Sequence, residues 1–168
     1  MGHADFVAAA RDAGVDGVLT VDLPPEEAAE AAELFEAAGI APIFLLAPTS
    51  SEERIRQTAR LARGYLYYVS LKGVTGSAAL DVAEVTDKLA VIRACTDLPL
   101  GVGFGIKDPP TAAAIAEVAD AVVVGSALVA KMGELADDPD RMRREVAALV
   151  AAMRQAMDRA CAPAVLAD

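Results

Sequence analysis

The sequence predicts an α/β protein built on a parallel β-sheet. Short apolar segments without polar alternation, such as Pro42–Leu46 and Ala119–Val124, are typical of strands that are buried on both faces. Segments with helical periodicity separate the strands, and a glycine connector (Gly14, Gly39 and Gly64) precedes three of them. Because strands alternate with helices, we expect right-handed crossovers and parallel pairing.

The composition describes one acidic domain or a part of one. The chain has 168 residues, of which 55% are hydrophobic but only 4% aromatic, so the predicted core is mainly aliphatic. A net charge of −10 argues against nucleic acid or an anionic membrane as a partner. Cys95 and Cys161 lack the spacing of a metal site and are expected to be reduced. No leader-like segment or membrane-length apolar run is visible, so a cytoplasmic location is predicted.

Five strands are expected in order along the chain, over residues 17–21, 42–46, 65–69, 98–102 and 119–124. Helices are expected before the first strand, from Pro24 to a stop at Gly39, over 52–62 and over 85–95. Three more are expected from Asp108, over 126–134 and from Asp138. On periodicity alone, an open doubly wound sheet and a barrel agree equally well with this pattern.

Glycine-containing turns after the last two strands predict a phosphate site. Gly103, Gly105 and Gly125 would let an anion approach backbone N–H groups. Ser126 is expected to begin a helix, whose positive end favours an anion. Barrels commonly bind phosphate after their seventh and eighth strands, whereas dinucleotide-binding sheets place their glycines after the first. The position of these glycines therefore counts against the open sheet.

Several motifs, in order and at matching spacing, resemble the α subunit of tryptophan synthase. They are Tyr65–Gly76, Val21–Pro24, Ala41–Phe44, Gly103–Ile106 and Gly125–Val129. The most diagnostic is Ser-x-x-Gly-Val-Thr-Gly after a Tyr-x-Tyr strand, and the resemblance covers nearly the whole chain. It implies a TIM (β/α)₈ barrel that cleaves indole-3-glycerol phosphate into indole and glyceraldehyde 3-phosphate. The family passes the indole to a β subunit, which is the expected protein partner.

Relative to that family, the chain is short, since a whole barrel takes about 250 residues. The resemblance implies an incomplete barrel of about five β-α units, strands four to eight, with residues 1–168 as a single partial domain. The family's catalytic glutamate and aspartate belong to its N-terminal part, which has no match here. We therefore assign no catalytic residue and expect the chain alone to be inactive. No cofactor is expected either, because pyridoxal phosphate belongs to the β subunit.

The resemblance implies substrate contacts at eight positions: Tyr67, Thr75, Gly76, Gly103, Phe104, Gly105, Gly125 and Ser126. Tyr67 is expected to face the substrate, with a core tyrosine as the alternative. Thr75 and Gly76 match a mobile loop that closes over the substrate. The other five residues, from Gly103 to Ser126 in that list, match the phosphate cradle, and Phe104 is also expected near the indole. Leu71 stands where many relatives have arginine.

Asp22 and Pro24 match a loop near the β-subunit interface in the family. Asp22 ends a strand, where a catalytic base could also lie, but a helix-capping or interface role is favoured. His3 is expected to be a solvated residue ahead of the first helix.

Two other functions stay open from the sequence. One is a non-catalytic fragment that binds phosphate. The other is a different phosphate-binding barrel enzyme, of the indole-glycerol-phosphate synthase or ribulose-phosphate epimerase type. The Gly-Val-Thr-Gly loop argues against the second, as does the absence of a lysine at the end of any predicted strand.

Overall fold

The computed structural model describes residues 2–21, 23–70 and 81–162. Within these residues, five strands form one parallel sheet in the order β1-β2-β3-β4-β5. The strands are β1 (Gly17–Leu19), β2 (Ala41–Leu46), β3 (Leu66–Val69), β4 (Leu100–Gly103) and β5 (Ala121–Val123). Each strand pairs with the next one along the chain, whereas a doubly wound sheet reverses its strand order at a switch point. The sequential order therefore confirms the barrel type of α/β sheet.

Seven helices accompany the strands in the described part of the chain. They are α1 (His3–Asp12), α2 (Ala29–Ala37), α3 (Glu52–Leu61), α4 (Val82–Arg93), α5 (Pro109–Ala116), α6 (Ser126–Glu134) and α7 (Pro139–Ala160). Side chains of Ser51, Asp81, Asp108 and Asp138 accept backbone hydrogen bonds at the starts of α3, α4, α5 and α7. None of the described helices has both the length and the hydropathy to cross a bilayer.

Some predicted boundaries were wrong. The second helix was expected to open at Pro24, but α2 begins at Ala29. The intervening residues form a turn, in which the Glu27 N–H donates to the Pro24 carbonyl at 2.9 Å. Pro25 disfavours the helical conformation for the residue before it, so the chain turns before the helix can start. By contrast, α4 begins at Val82, three residues earlier than predicted, because Asp81 caps it.

The strand boundaries also shifted by a residue or two. The third strand was expected from Tyr65, but β3 begins at Leu66. The Tyr65 N–H donates to the Arg63 carbonyl at 2.9 Å and not to a neighbouring strand. β1 ends at Leu19, before the predicted limit at residue 21. β4 begins at Leu100, after the predicted start at residue 98. These shifts change no strand's identity or direction.

The main hydrophobic core lies between the sheet and the helices on one of its faces. Its strand residues include Phe44, Leu66, Tyr68 and Val102, all at most 4% exposed. Helix residues of the same cluster include Ile55, Val85, Leu89, Ile92 and Ile115. Strand residues alternate between faces, so Leu45, Tyr67, Gly101 and Gly103 lie on the opposite face. That opposite face is called the inner face below.

The sheet ends at β1 and β5, which are three residues long. Large apolar side chains close to these edges are exposed: Leu19 by 38%, Val21 by 65% and Val129 by 67%. An edge strand of this kind presents unpaired backbone groups to any strand that approaches it. The two edges are therefore the surfaces on which the described fold is least covered.

Candidate functional site

The predicted glycine turns lie at the same end of the sheet. Gly103, the last residue of β4, is in register with Val123, the last residue of β5. Gly125 follows two residues later, and α6 begins at Ser126, as predicted. The first N–H groups of a helix have no intrahelical acceptor, so this end of α6 offers backbone donors directly after β5. Both Gly125 and Ser126 are exposed.

Tyr67 and Gly103 are in direct contact on the inner face. A Cβ atom placed on Gly103 would overlap the Tyr67 hydroxyl oxygen and would lie 2.6 Å from the ring carbon Cζ. Glycine is therefore required at this position by the ring of Tyr67, which is only 7% exposed. Burial and, to a smaller extent, the neighbouring Tyr65 raise the pKa of the Tyr67 phenol. The hydroxyl thus stays protonated at neutral pH and is able to donate a hydrogen bond.

Phe104 has an unusual backbone conformation in the turn after β4. Its φ of +73° is the only positive φ at a non-glycine residue among those described, and Gly105 follows with a φ of +77°. The phenyl ring is 53% exposed. It meets the Tyr67 ring edge-on, with centroids 6.5 Å apart and an interplanar angle of 86°. A strained residue with an exposed aromatic ring is typical of a ligand-binding turn.

Ser70 connects the end of β3 to this turn. Its Oγ lies 2.7 Å from the carbonyl oxygen of Gly103 and 2.7 Å from that of Phe104. Its N–H also donates to the Gly103 carbonyl at 3.0 Å. Ser70 is part of the Ser-x-x-Gly-Val-Thr-Gly motif, and no role was predicted for it. A serine directly after a strand was the available signal, but its acceptors are 33 and 34 residues away.

Two leucines add apolar surface to the inner face. Leu45 is in register with Tyr67, and Leu19 pairs with Ile43, two residues before Leu45. Leu19 is 38% exposed and Leu45 is half-buried. Neither leucine was predicted to be a site residue. Strand alternation aligned on Tyr67 could have found Leu45, whereas Leu19 required the register between β1 and β2.

A cleft of about 370 Å³ lies between the segment that follows β1, strand β2 and helix α3. Its wall includes Val21, Pro24 and Leu45. Beside it, Arg54 of α3, which also lines the cleft, forms an ion pair with Glu26 at 2.7 Å. Pro24, predicted to lie near a partner interface, is half-buried at this cleft.

The carboxylate next to the β4 turn has a structural role. Asp108 Oδ1 accepts hydrogen bonds from the backbone N–H of Thr111 at 2.9 Å and from its hydroxyl at 2.6 Å. These hydrogen bonds lower the pKa of the Asp108 carboxyl, and the one from the hydroxyl has the larger effect. Asp108 thus caps α5. No group of three or more metal-binding side chains occurs in residues 2–21, 23–70 and 81–162.

Three predicted positions lie outside the described residues. They are Asp22, Thr75 and Gly76, and Leu71 lies there too. The other predicted contacts, namely Tyr67, Gly103, Phe104, Gly105, Gly125 and Ser126, lie at the carboxyl ends of β3, β4 and β5. The structure thus brings together an aromatic pair, an apolar face and two turns with backbone donors.

The comparison that decides the family is a match over residues 1–158 to the sequence model of the tryptophan synthase alpha chain. The chain belongs to this family. It is 60% identical over 158 residues to the tryptophan synthase alpha chain of Methylococcus capsulatus. The aligned region covers 94% of this chain and 59% of that protein. The chain is 57% identical over 164 residues to the Burkholderia pseudomallei protein of that name, covering 98% and 60%.

Solved structures of the tryptophan synthase family have the same fold. The alpha subunit from Legionella pneumophila str. Paris matches with a TM-score of 0.82 and 40% identity, over 94% of this chain and 58% of that one. A chain of the Pyrococcus furiosus tryptophan synthase α2β2 complex matches with a TM-score of 0.79 and 33% identity, over 92% and 61%. These matches confirm the predicted fold class, an incomplete TIM barrel. The chain spans about three-fifths of the length of the curated relatives it matches.

Proposed function

We propose that this tryptophan synthase alpha family chain supplies the substrate-binding part of an indole-3-glycerol phosphate lyase. The observation that carries the proposal is the arrangement at the carboxyl end of the sheet. The edge-on pair Tyr67–Phe104 lies at the carboxyl end of the sheet with two turns, one at the half-buried Gly105 and one at the exposed Gly125. An aromatic ring linked to a phosphate by a short polar chain is complementary to that arrangement.

The phosphate would bind to the backbone N–H groups at Gly105, Gly125 and Ser126. Its negative charge is favoured there by the amino end of α6. The indole would contact the exposed ring of Phe104 and the apolar inner face, which includes Leu19 and Leu45. Tyr67 stays protonated and would donate to a polar group between the two ends. Thr75 and Gly76 are proposed to close over the bound substrate.

Cleavage needs a positioned acid and a positioned base, and no carboxylate of this chain matches either catalytic position of the family. The bond between the indole ring carbon and the glycerol carbon breaks, and its electron pair stays with the indole ring. The ring carbon gains a proton and a glycerol hydroxyl releases one, while the ring nitrogen releases its proton when the ring carbon is protonated and regains it as the carbon–carbon bond breaks. Each positioned acid or base typically contributes about 10²–10⁴-fold in rate. Without two such groups, the rate should fall by roughly 10⁴-fold or more, subject to non-additivity.

We further propose a β subunit carrying pyridoxal phosphate as the partner that receives the indole, in the cytoplasm. Pro24, and Asp22 two residues before it in the sequence, would face that subunit. The Pyrococcus furiosus relative has been solved within an α2β2 complex, which supports the partner assignment. Among the alternatives, a fragment that binds phosphate without cleaving substrate would share the phosphate site and differ only in activity.

The experiment pairs a binding measurement with an activity measurement. The purified chain should bind glyceraldehyde 3-phosphate, and Gly125→Ala should weaken that binding by about tenfold or more, because the new methyl occupies the space of the phosphate. Gly133→Ala is the matched control, since a Cβ meets no atom within 4 Å at either residue. Wild-type affinity in Gly125→Ala would contradict the proposed phosphate position.

The activity arm uses indole-3-glycerol phosphate and detects released indole. The chain alone should release none above background, even though it binds the phosphate product. Robust turnover by the chain alone would show that a carboxylate within it serves as the acid or base. Absence of both binding and turnover would refute the proposed function as a whole.

A further inference from the structure

Ser70 contacts two adjacent carbonyl groups, that of the last residue of β4 and that of the first residue of the turn after it. Its hydroxyl lies 2.7 Å from the carbonyl oxygens of both Gly103 and Phe104. Its backbone N–H donates to the Gly103 carbonyl at 3.0 Å, so the single proton of the hydroxyl is available for the Phe104 carbonyl. The half-buried residue directly after β3 therefore connects to the start of the turn on the neighbouring strand.

The turn needs such a constraint because the backbone of Phe104 has a left-handed conformation. A φ of +73° is unfavourable for a residue with a Cβ atom, since the Cβ approaches the following carbonyl oxygen. Such a conformation persists only where neighbouring groups determine it from several sides. Within the described part of the chain, the side chain that hydrogen-bonds to the Phe104 carbonyl is that of Ser70.

We propose that Ser70 is a positioning residue for the aromatic part of the ligand. By holding the Phe104 carbonyl, it keeps the phenyl ring edge-on to Tyr67, with about half of the ring open to a ligand. Without the hydroxyl, the Phe104 backbone would relax toward a negative φ and rotate the ring away from Tyr67. The aromatic nature of the ligand rests on the proposed function, whereas the conformational effect of Ser70 does not.

The test uses the full chain with three variants. Ser70→Ala removes the hydroxyl, and Ser70→Thr retains it. Ser51→Ala removes a serine hydroxyl that accepts from the Arg54 N–H at 3.3 Å in α3, so it serves as a control for lost stability at a distance from the turn. Dissociation constants are measured by NMR titration with two separate probes, indole and glycerol 3-phosphate. We expect Ser70→Ala to weaken indole binding by about tenfold, and Ser70→Thr and Ser51→Ala to remain close to the wild type.

A spectroscopic signature separates positioning from a general loss of structure. The nuclear Overhauser effect (NOE) between the rings of Phe104 and Tyr67 should disappear in Ser70→Ala and persist in Ser70→Thr. The edge-on contact of Phe6 with Phe35, at 6.1 Å between centroids, should give an unchanged signal in every variant. Loss of both contacts in Ser70→Ala would mean general unfolding, and a failure of Ser70→Thr to restore them would then overturn the proposal.

Each remaining outcome also decides the proposal. A Phe104–Tyr67 contact that persists in Ser70→Ala would overturn the conformational effect. A lost contact with unchanged indole affinity would overturn the role in ligand positioning. If the wild-type chain binds neither probe, the proposed function fails and the ligand role with it, while the NOE result still decides whether Ser70 sets the conformation of Phe104.

Discussion

Replacing Gly103 with alanine tests how closely the inner face is packed. The new methyl would overlap the Tyr67 hydroxyl, and it would lie 2.6 Å from Cζ and 3.3 Å from Cε2 of the same ring. The ring cannot move freely, because it is 7% exposed. Tyr67 would have to tilt away from β4 or the two strands would have to separate.

The expected cost follows from inserting a methyl into a packed site. Such insertions typically destabilise by about 1–3 kcal/mol. Gly101→Ala is the matched comparison on the same strand and face, where the nearest atom is Tyr65 Cε2 at 3.1 Å. A contact of that length needs a shift of a few tenths of an ångström, so Gly101→Ala should cost less. Tyr67→Phe removes the overlapping hydroxyl but leaves Cζ, so it should recover only part of the loss in Gly103→Ala.

The assay is urea unfolding followed by far-UV circular dichroism, at one low protein concentration for all variants. The four proteins of the Gly103 and Tyr67 double-mutant cycle should show a coupling free energy of about 0.5–3 kcal/mol. Equal unfolding free energies for Gly103→Ala and Gly101→Ala, together with no coupling to Tyr67→Phe, would refute the described packing of the ring over Gly103.

Further expectations concern the edges of the sheet and two carboxylates. At concentrations above those of the unfolding assay, the isolated chain should associate because both edge strands are open, and a monomer with a sharp calorimetric transition at those concentrations would contradict this. Asp120→Ala should destabilise by about 1–3 kcal/mol, because its carboxylate accepts from the buried Leu100 N–H at 2.8 Å; Asp120→Asn, which keeps an acceptor, should cost less in the same unfolding assay. The hydrogen bonds from Thr111 lower the pKa of the Asp108 carboxyl below its ordinary value. Its contribution to stability is therefore fully present above the ordinary pKa of an aspartate and is lost as the pH falls through the folded-state pKa. Asp108→Asn should flatten this acid limb of stability against pH, and an unchanged limb would assign it to other carboxylates.

The sequence by itself determined the α/β class, the succession of strands along the chain and the position of the glycine turns. Buried apolar runs and glycine connectors are local signals, and they identified every strand that the structure describes. They also placed Gly103 and Gly125 at the same end, because consecutive parallel strands share their direction. The start of α2 was missed because the turn at Pro24–Glu27 overrode the helical signal of the carboxylates that follow.

Only the tertiary structure decided which side chains meet on the inner face. Alternation within β3 separates Tyr67 from Tyr68, but the sequence does not say which of them faces the helices. That choice follows from the core, where Tyr68 is 1% exposed, and from the register, which places Tyr67 over Gly103. The left-handed Phe104 was equally inaccessible to sequence reasoning, because glycine is the residue expected at a positive φ. Its conformation is tied to a hydrogen bond from Ser70, 34 residues earlier, and contacts across that separation exist only once the strands have paired.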